Sequence, residues 1–225
     1  MKIKDRAKPK VPPVEPGVYM AVCIGFIDLG EQYSEMFKTH ANKGMYVWEI
    51  PSETVEIEGE QKPRQLSKEF TISGSKKGNL RGFIESWNSK SYSDEEFMEL
   101  DLFDQIGKPS QLQVVLSESG EYSNVANLMP LPKGFPAPTT ATPFIKWDME
   151  AWDDEVFKAL PEWIQEKIKK STQYQKEHLP AETVAVQGAL QPQATAQMPQ
   201  NIPGINFNAF MQQAAPPAGT GVAPF

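Results

Sequence analysis

Between residues 33 and 92 the chain interleaves cations with flat rings: Tyr33, Phe37, Lys38, Lys43, Tyr46, Trp48, Lys62, Arg64, Lys68, Phe70, Lys76, Lys77, Arg81, Trp87, Lys90 and Tyr92. Single-stranded nucleic acid is held by this pair of residue types, because cations track phosphates while rings stack on unpaired bases. Each stacked base contributes roughly 1–3 kcal/mol and needs no sequence readout. Trp48 lies in an alternating apolar run and Trp87 closes an apolar helical stripe, so both read as core. Phe70 suits either role. Tyr33, Phe37, Tyr46 and Tyr92 sit in or near polar segments and are the candidate exposed rings. The cations from Lys62 to Lys90 surround one strand and one helix, and could line one groove.

Other chemistries have weaker footing. Asp94, Glu95, Glu96, Glu99, Asp101 and Asp104 form an acidic cluster of the kind a Mg²⁺-dependent nuclease, or a regulator of one, would use. A metal site needs carboxylates from separate elements, whereas these share one segment and several serve as caps or helix-dipole partners. The chain has one cysteine, Cys23, and two histidines, His40 and His178, which argues against a Cys/His zinc site and against a hydrolytic triad. Phosphate-loop, dinucleotide-turn, nucleophile-elbow and H-E-x-x-H patterns are absent. The residues therefore predict a non-catalytic binding protein with no metal and no cofactor.

These side chains must be placed by a β-rich scaffold. Val18–Ile27 is a long apolar run that predicts a strand buried on most of both faces. Glu31–Gly44 reads as a polar loop. Met45–Pro51 alternates with period two and predicts a second strand, Val55–Glu58 a hairpin turning at Glu58-Gly59, and Gln65–Ser73 a third strand. In Lys77–Trp87, Leu80, Phe83, Ile84 and Trp87 fall on one helical face. Ser93 and Glu96 have capping-box spacing, opening a short helix that points Phe97, Leu100, Leu102 and Phe103 inward. Gln111–Ser117 and Glu121–Met129 read as an antiparallel pair around Ser119-Gly120. Pro130–Pro143, with five prolines, is an extended connector. Asp153–Leu160 and Pro161–Ser171 predict two helices, with Pro161 at the first helical position and an apolar stripe (Val156, Phe157, Leu160, Trp163, Ile164, Ile168) that docks on the sheet.

The expected organisation is a flexible basic arm at 1–16, a core domain at 17–130, connector and helices at 131–177, and a disordered Pro/Gln/Ala tail at 178–225. The 225 residues are 40% hydrophobic and 23% charged, which supports a real core. A net charge of −7 argues against nucleic acid when taken alone. The charge is segregated, however, with basic blocks at 2–10 and 62–90 and acidic blocks at 94–104 and 148–162. No run is long and apolar enough for a membrane span. The N-terminus lacks the apolar stretch of a signal peptide, and a lone cysteine fits a reducing compartment.

The succession of a G-V-Y strand, Val47-Trp48-Glu49-Ile50-Pro51, Leu80–Trp87 with Tyr92, Phe103–Pro109 and a Q-V-V-L strand resembles a group of bacteriophage early proteins akin to single-stranded DNA-binding proteins of the OB-fold type. The resemblance covers about Gly17–Tyr174. It implies an OB-like five-stranded barrel with an inserted helix, α+β overall, in the host cytoplasm. It also implies single-stranded DNA binding in phage replication or recombination. The tail resembles that class as well: a low-complexity linker with an apolar island (Phe207, Phe210) ends in Pro224-Phe225. Phe207 and Phe210, in the apolar island of the tail, read as a docking peptide, and the resemblance implies Pro224 and Phe225 as contacts for replication or recombination proteins. The acids that precede Pro-Phe in bacterial examples are missing here. The rival expectations are a non-catalytic adaptor of the replication machinery and the nuclease reading above.

Overall fold

The long apolar run from Gly17 forms the central strand of a six-stranded sheet in the computed structural model, which describes residues 11–57 and 59–178. The strands are β1 (Gly17–Ser34), β2 (Thr39–Ile57), β3 (Glu60–Thr71), β4 (Pro109–Leu116), β5 (Ser123–Met129) and β6 (Ile145–Trp147). Their order is β3-β2-β1-β4-β5, all antiparallel, with β6 added parallel to β1. The sheet does not close. The side edges β3 and β5 are joined by a side chain instead, Lys68 Nζ donating to the Val125 carbonyl at 2.6 Å.

At β1 and β2 both faces of the sheet are buried, for different reasons. The period-two residues Tyr46, Trp48 and Ile50 of β2 face Ala21, Cys23 and Phe26 of β1 and Leu112 and Leu128 of β4 and β5. Helix α1 (Asn79–Asn88) covers this inner layer with Leu80, Phe83, Ile84 and Trp87, and the Trp87 indole N–H donates to the Pro109 carbonyl at 3.1 Å. On the other face, Ile24, Ile27 and Leu29 of β1, whose alternation shifts at a bulge between Cys23 and Gly25, pack with Met45 and Val47 of β2 against Phe157, Leu160, Ile164 and Ile168. Those residues come from α3 (Asp154–Ala159) and α4 (Glu162–Lys169) and the turn between them; α5 (Thr172–His178) follows. A strand buried on both faces needs apolar residues at odd and even positions alike, which explains the unbroken run in β1.

The short acidic helix α2 (Asp94–Met98) has its capping box: the Ser93 hydroxyl accepts from the Glu96 N–H, and the Glu96 carboxylate accepts from the Ser93 N–H. Phe97 is buried, and Leu100, Leu102 and Phe103 pack partly buried against the inner layer. Pro161 precedes α4 as its cap and is not its first helical residue.

Four further expectations change. The polar stretch 31–44 is a strand pair and not a loop: β1 and β2 run on as an arm, pairing Tyr33 with His40 and Ser34 with Thr39. Backbone pairing does not require apolar side chains, and the arm's base is tied to the C-terminal helices through Glu31 N–H to Gln173 Oε1 at 2.8 Å and Gln32 Nε2 to the Lys167 carbonyl at 3.0 Å. The sheet has six strands where the OB-like barrel was expected to have five, and it is open. β6 was not expected; Gly25 allows it, since a Cβ there would lie 2.8 Å from the Ile145 carbonyl oxygen. The N-terminal arm is packed from about residue 12: Val14 is buried, its carbonyl accepts from the Ser123 hydroxyl, and the Pro12 carbonyl accepts from Arg64. The basic residues 2–10, the turn residue Glu58 and the tail with Phe207, Phe210, Pro224 and Phe225 lie outside the described residues. Among the described residues no helix is long and apolar enough to cross a membrane.

Candidate nucleic-acid interface

The arm carries the most exposed of the sequence-derived rings. Its tip is the turn 35–38, in which Lys38 takes a positive φ of 53°. Phe37 is 68% exposed, Met36 58% and Tyr33 46%. Tyr33 lies against its cross-strand partner His40, with ring centroids 5.0 Å apart. Among the cations here, Lys38 pairs with Glu35 at 3.0 Å. Lys43 donates to the Thr71 hydroxyl at 2.8 Å across the strand pair and has no ion pair with a described carboxylate. His40 Nδ1 lies 3.6 Å from a Glu31 carboxylate oxygen.

The remaining candidates do not line one groove. Tyr46 is fully buried, its hydroxyl donating to the Leu102 carbonyl at 2.8 Å, and burial pushes its pKa up. Phe70 is core, 4.9 Å from Phe83 by ring centroid. Neither ring offers a face to a base, because period two turns both inward. Arg64 is buried against the Pro12 carbonyl, and Lys62 pairs with Glu60 at 3.0 Å. Lys68 spans the β3–β5 gap beneath Phe83, and burial lowers its pKa.

Arg81 is a structural clamp. It is 3% exposed and donates to Glu85 Oε1 at 3.2 Å, to Asp94 Oδ1 at 2.7 Å and to the Tyr92 carbonyl. The Tyr92 N–H and then the Arg81 guanidinium hold the Glu85 carboxyl below the usual range. Lys76 pairs with Asp94 at 3.3 Å. Lys90 pairs with Glu96 at 3.0 Å and lies over the half-buried Tyr92 ring at 4.5 Å. Lys77 is exposed and without an ion pair among the described residues. Half of the acidic cluster is engaged: Asp94 with Arg81 and Lys76, Glu96 in the capping box and with Lys90, and Asp101 as cap to the Phe103 N–H at 2.8 Å. Among the described residues no three His, Cys, Asp or Glu side chains are grouped to hold a metal ion.

A second surface was not anticipated from the sequence. Lys146 of β6 lies over the Phe103 ring, 4.2 Å from its centroid. Phe144, two residues before Lys146, is 58% exposed and rests against Gly107. Long-range pairing of β6 with β1 brings these segments together, and the local pattern carries no signal of it. No family model matches the chain, and comparison with curated proteins and with solved structures likewise finds no match.

Proposed function

We propose that the chain binds single-stranded DNA through an OB-like domain, with the β1–β2 arm as its principal contact, in phage DNA replication or recombination. The observation that carries this reading is the arm itself, which holds Tyr33, Met36 and Phe37 away from the core beside Lys38, His40 and Lys43. Strand order supports it. A β1-β2-β3 meander, a helix between β3 and β4, β4 beside β1, and β5 returning toward β3 is the succession of an OB barrel with its last seam unpaired.

OB-folds bind oligonucleotides on the strand 2–3 face and through the loops joining strands 1–2 and 4–5. Here the outer strand 2–3 face is occupied by the chain's own C-terminal part. Lys167 of α4 pairs with Glu69 of β3, Gln65 of β3 donates to the Thr142 hydroxyl at 2.8 Å, and the buried Glu49 carboxylate accepts from Ala141 and Thr142. The strand 1–2 connection, extended into the arm, remains open. Net charge opposes binding, so affinity depends on local cations and falls steeply with salt.

Titration of labelled oligo-dT by fluorescence anisotropy in EDTA, with the natural chain and Tyr33→Ala/Phe37→Ala, tests the reading. Saturable binding weakened in the variant supports it, and no binding at low salt overturns it. One observation favours the adaptor reading as second choice: most of the cations from Lys62 to Lys90 are paired or buried, which leaves Met36 and Phe37 as an apolar arm tip suited to a protein partner. Failure to bind DNA would turn the search to proteins captured by the arm.

A further inference from the structure

We infer that Phe103, Phe144, Lys108 and Lys146 form a second contact site for single-stranded DNA at the root of the arm, taking one or two nucleotides by base stacking and phosphate pairing. The inference rests on the DNA-binding reading above and extends it to residues outside the 33–92 stretch.

The patch is built from two segments fixed by β1. Gly107 N–H donates to the Cys23 carbonyl at 2.8 Å, and Cys23 N–H donates to the Lys108 carbonyl at 3.0 Å, so the Gly107-Lys108 turn is clamped to the strand. Gly107 adopts φ +83°, a conformation that glycine takes without strain. On the other side, β6 pairs Lys146 with Phe26. Ile145 and Trp147 are buried among the outer-face residues, so Lys146 points to the opposite side, where it covers Phe103. Phe103 in turn stands edge-on to Phe26 at 5.4 Å. Strand periodicity places Phe144 on the same side as Lys146, and a Cβ on Gly107 would be 3.5 Å from the Phe144 ring.

Lys146 thus covers Phe103 on this surface, and the exposed Phe144 ring stands against the turn that carries Lys108. Neither Lys108 nor Lys146 has an ion pair among the described residues; Lys108 Nζ lies 3.2 Å from Gln105 Oε1. Two carboxylates flank Phe103 in the same turn, Asp101, which accepts from the Phe103 N–H at 2.8 Å, and the exposed Asp104, so the phosphate contacts fall on the Lys108 and Lys146 side. An exposed ring beside lysines without ion pairs is the combination of a stacking platform with phosphate contacts. From Phe26 to the Tyr33 level of the arm is about 23 Å at roughly 3.3 Å per residue, a span that a short oligonucleotide bridges.

The test is oligo-dT anisotropy across a salt series with Phe144→Ala, Phe144→Tyr and the double variant Lys108→Ala/Lys146→Ala, each checked by thermal unfolding. Phe144→Ala should weaken binding roughly 5- to 150-fold while Phe144→Tyr keeps it. The double variant should lower the slope of log affinity against log salt by about two, which loss of a purely structural contact would not do. Natural chain that binds, with variants that match it in affinity and slope, overturns the patch and leaves the arm reading standing. Natural chain that does not bind overturns both.

Discussion

Glu49→Gln offers a quantitative check on how the C-terminal segment is held across the sheet. Glu49 is fully buried, and its two carboxylate oxygens accept from Ala141 N–H at 2.8 Å and Thr142 N–H at 3.1 Å. Hydrogen bonds to a charged group contribute about 1.5–3 kcal/mol each, and a neutral one about 1 kcal/mol. The amide keeps one acceptor and turns an NH₂ toward the other N–H, so one bond weakens and one becomes a donor–donor contact. Rehydration of the exposed connector recovers part of the loss. A net cost of about 2–3 kcal/mol results, which at roughly 1–3 kcal/mol per molar urea lowers the unfolding midpoint by about 1 M. Urea titration followed by tryptophan fluorescence reads this, and trypsin cleavage at exposed Lys133 should accelerate. Oligo-dT affinity should not rise, because the uncovered strands are not the binding surface. A midpoint within 0.2 M of the natural chain, an estimate set by a cost under about 0.5 kcal/mol, would refute the clamp. A gain in DNA affinity would refute the placement of DNA on the arm.

Other expectations follow from the packing. Ile164→Ala, at a fully buried position between α4 and the sheet, should cost about 2–5 kcal/mol in urea unfolding. Gly44→Ala would set a Cβ 2.4 Å from the Phe26 ring, and overpacking of this kind costs about 1–3 kcal/mol by the same measurement. Burial pushes the Cys23 thiol up to about 12. Native protein at pH 8 should therefore resist iodoacetamide until it is unfolded. The raised thiol pKa adds stability below the unfolded value, and that contribution falls as pH climbs from about 9 toward 12. Tyr33→Ala/Phe37→Ala should leave the urea midpoint nearly unmoved, since exposed positions shift stability by about 0.5 kcal/mol or less.

Much of the scaffold was legible because burial imposes a period. Tyr46, Trp48 and Ile50 alternate, Leu80, Phe83, Ile84 and Trp87 share a helix face, and Ser93 with Glu96 announces a cap; each became the element its spacing implied. The arm strands were not legible, because Glu31, Gln32, Asn42 and Lys43 pair through backbone and carry no apolar signal. Neither was the three-residue β6, whose position depends on the missing side chain of Gly25. For the site, composition identified cations and rings but not their partners. Arg81 and Lys76 meet Asp94 in three dimensions, and Tyr46 turns inward with its strand. Phe103 and Lys146 meet only because β6 lies beside β1.

The most direct test of the central claim is the salt dependence of oligo-dT binding by the full chain, followed by anisotropy in EDTA. Saturable binding that weakens linearly on a log–log plot, with the slope reduced by Lys43→Ala, is the predicted result. Absence of saturable binding at low salt, or binding indifferent to salt, would contradict it.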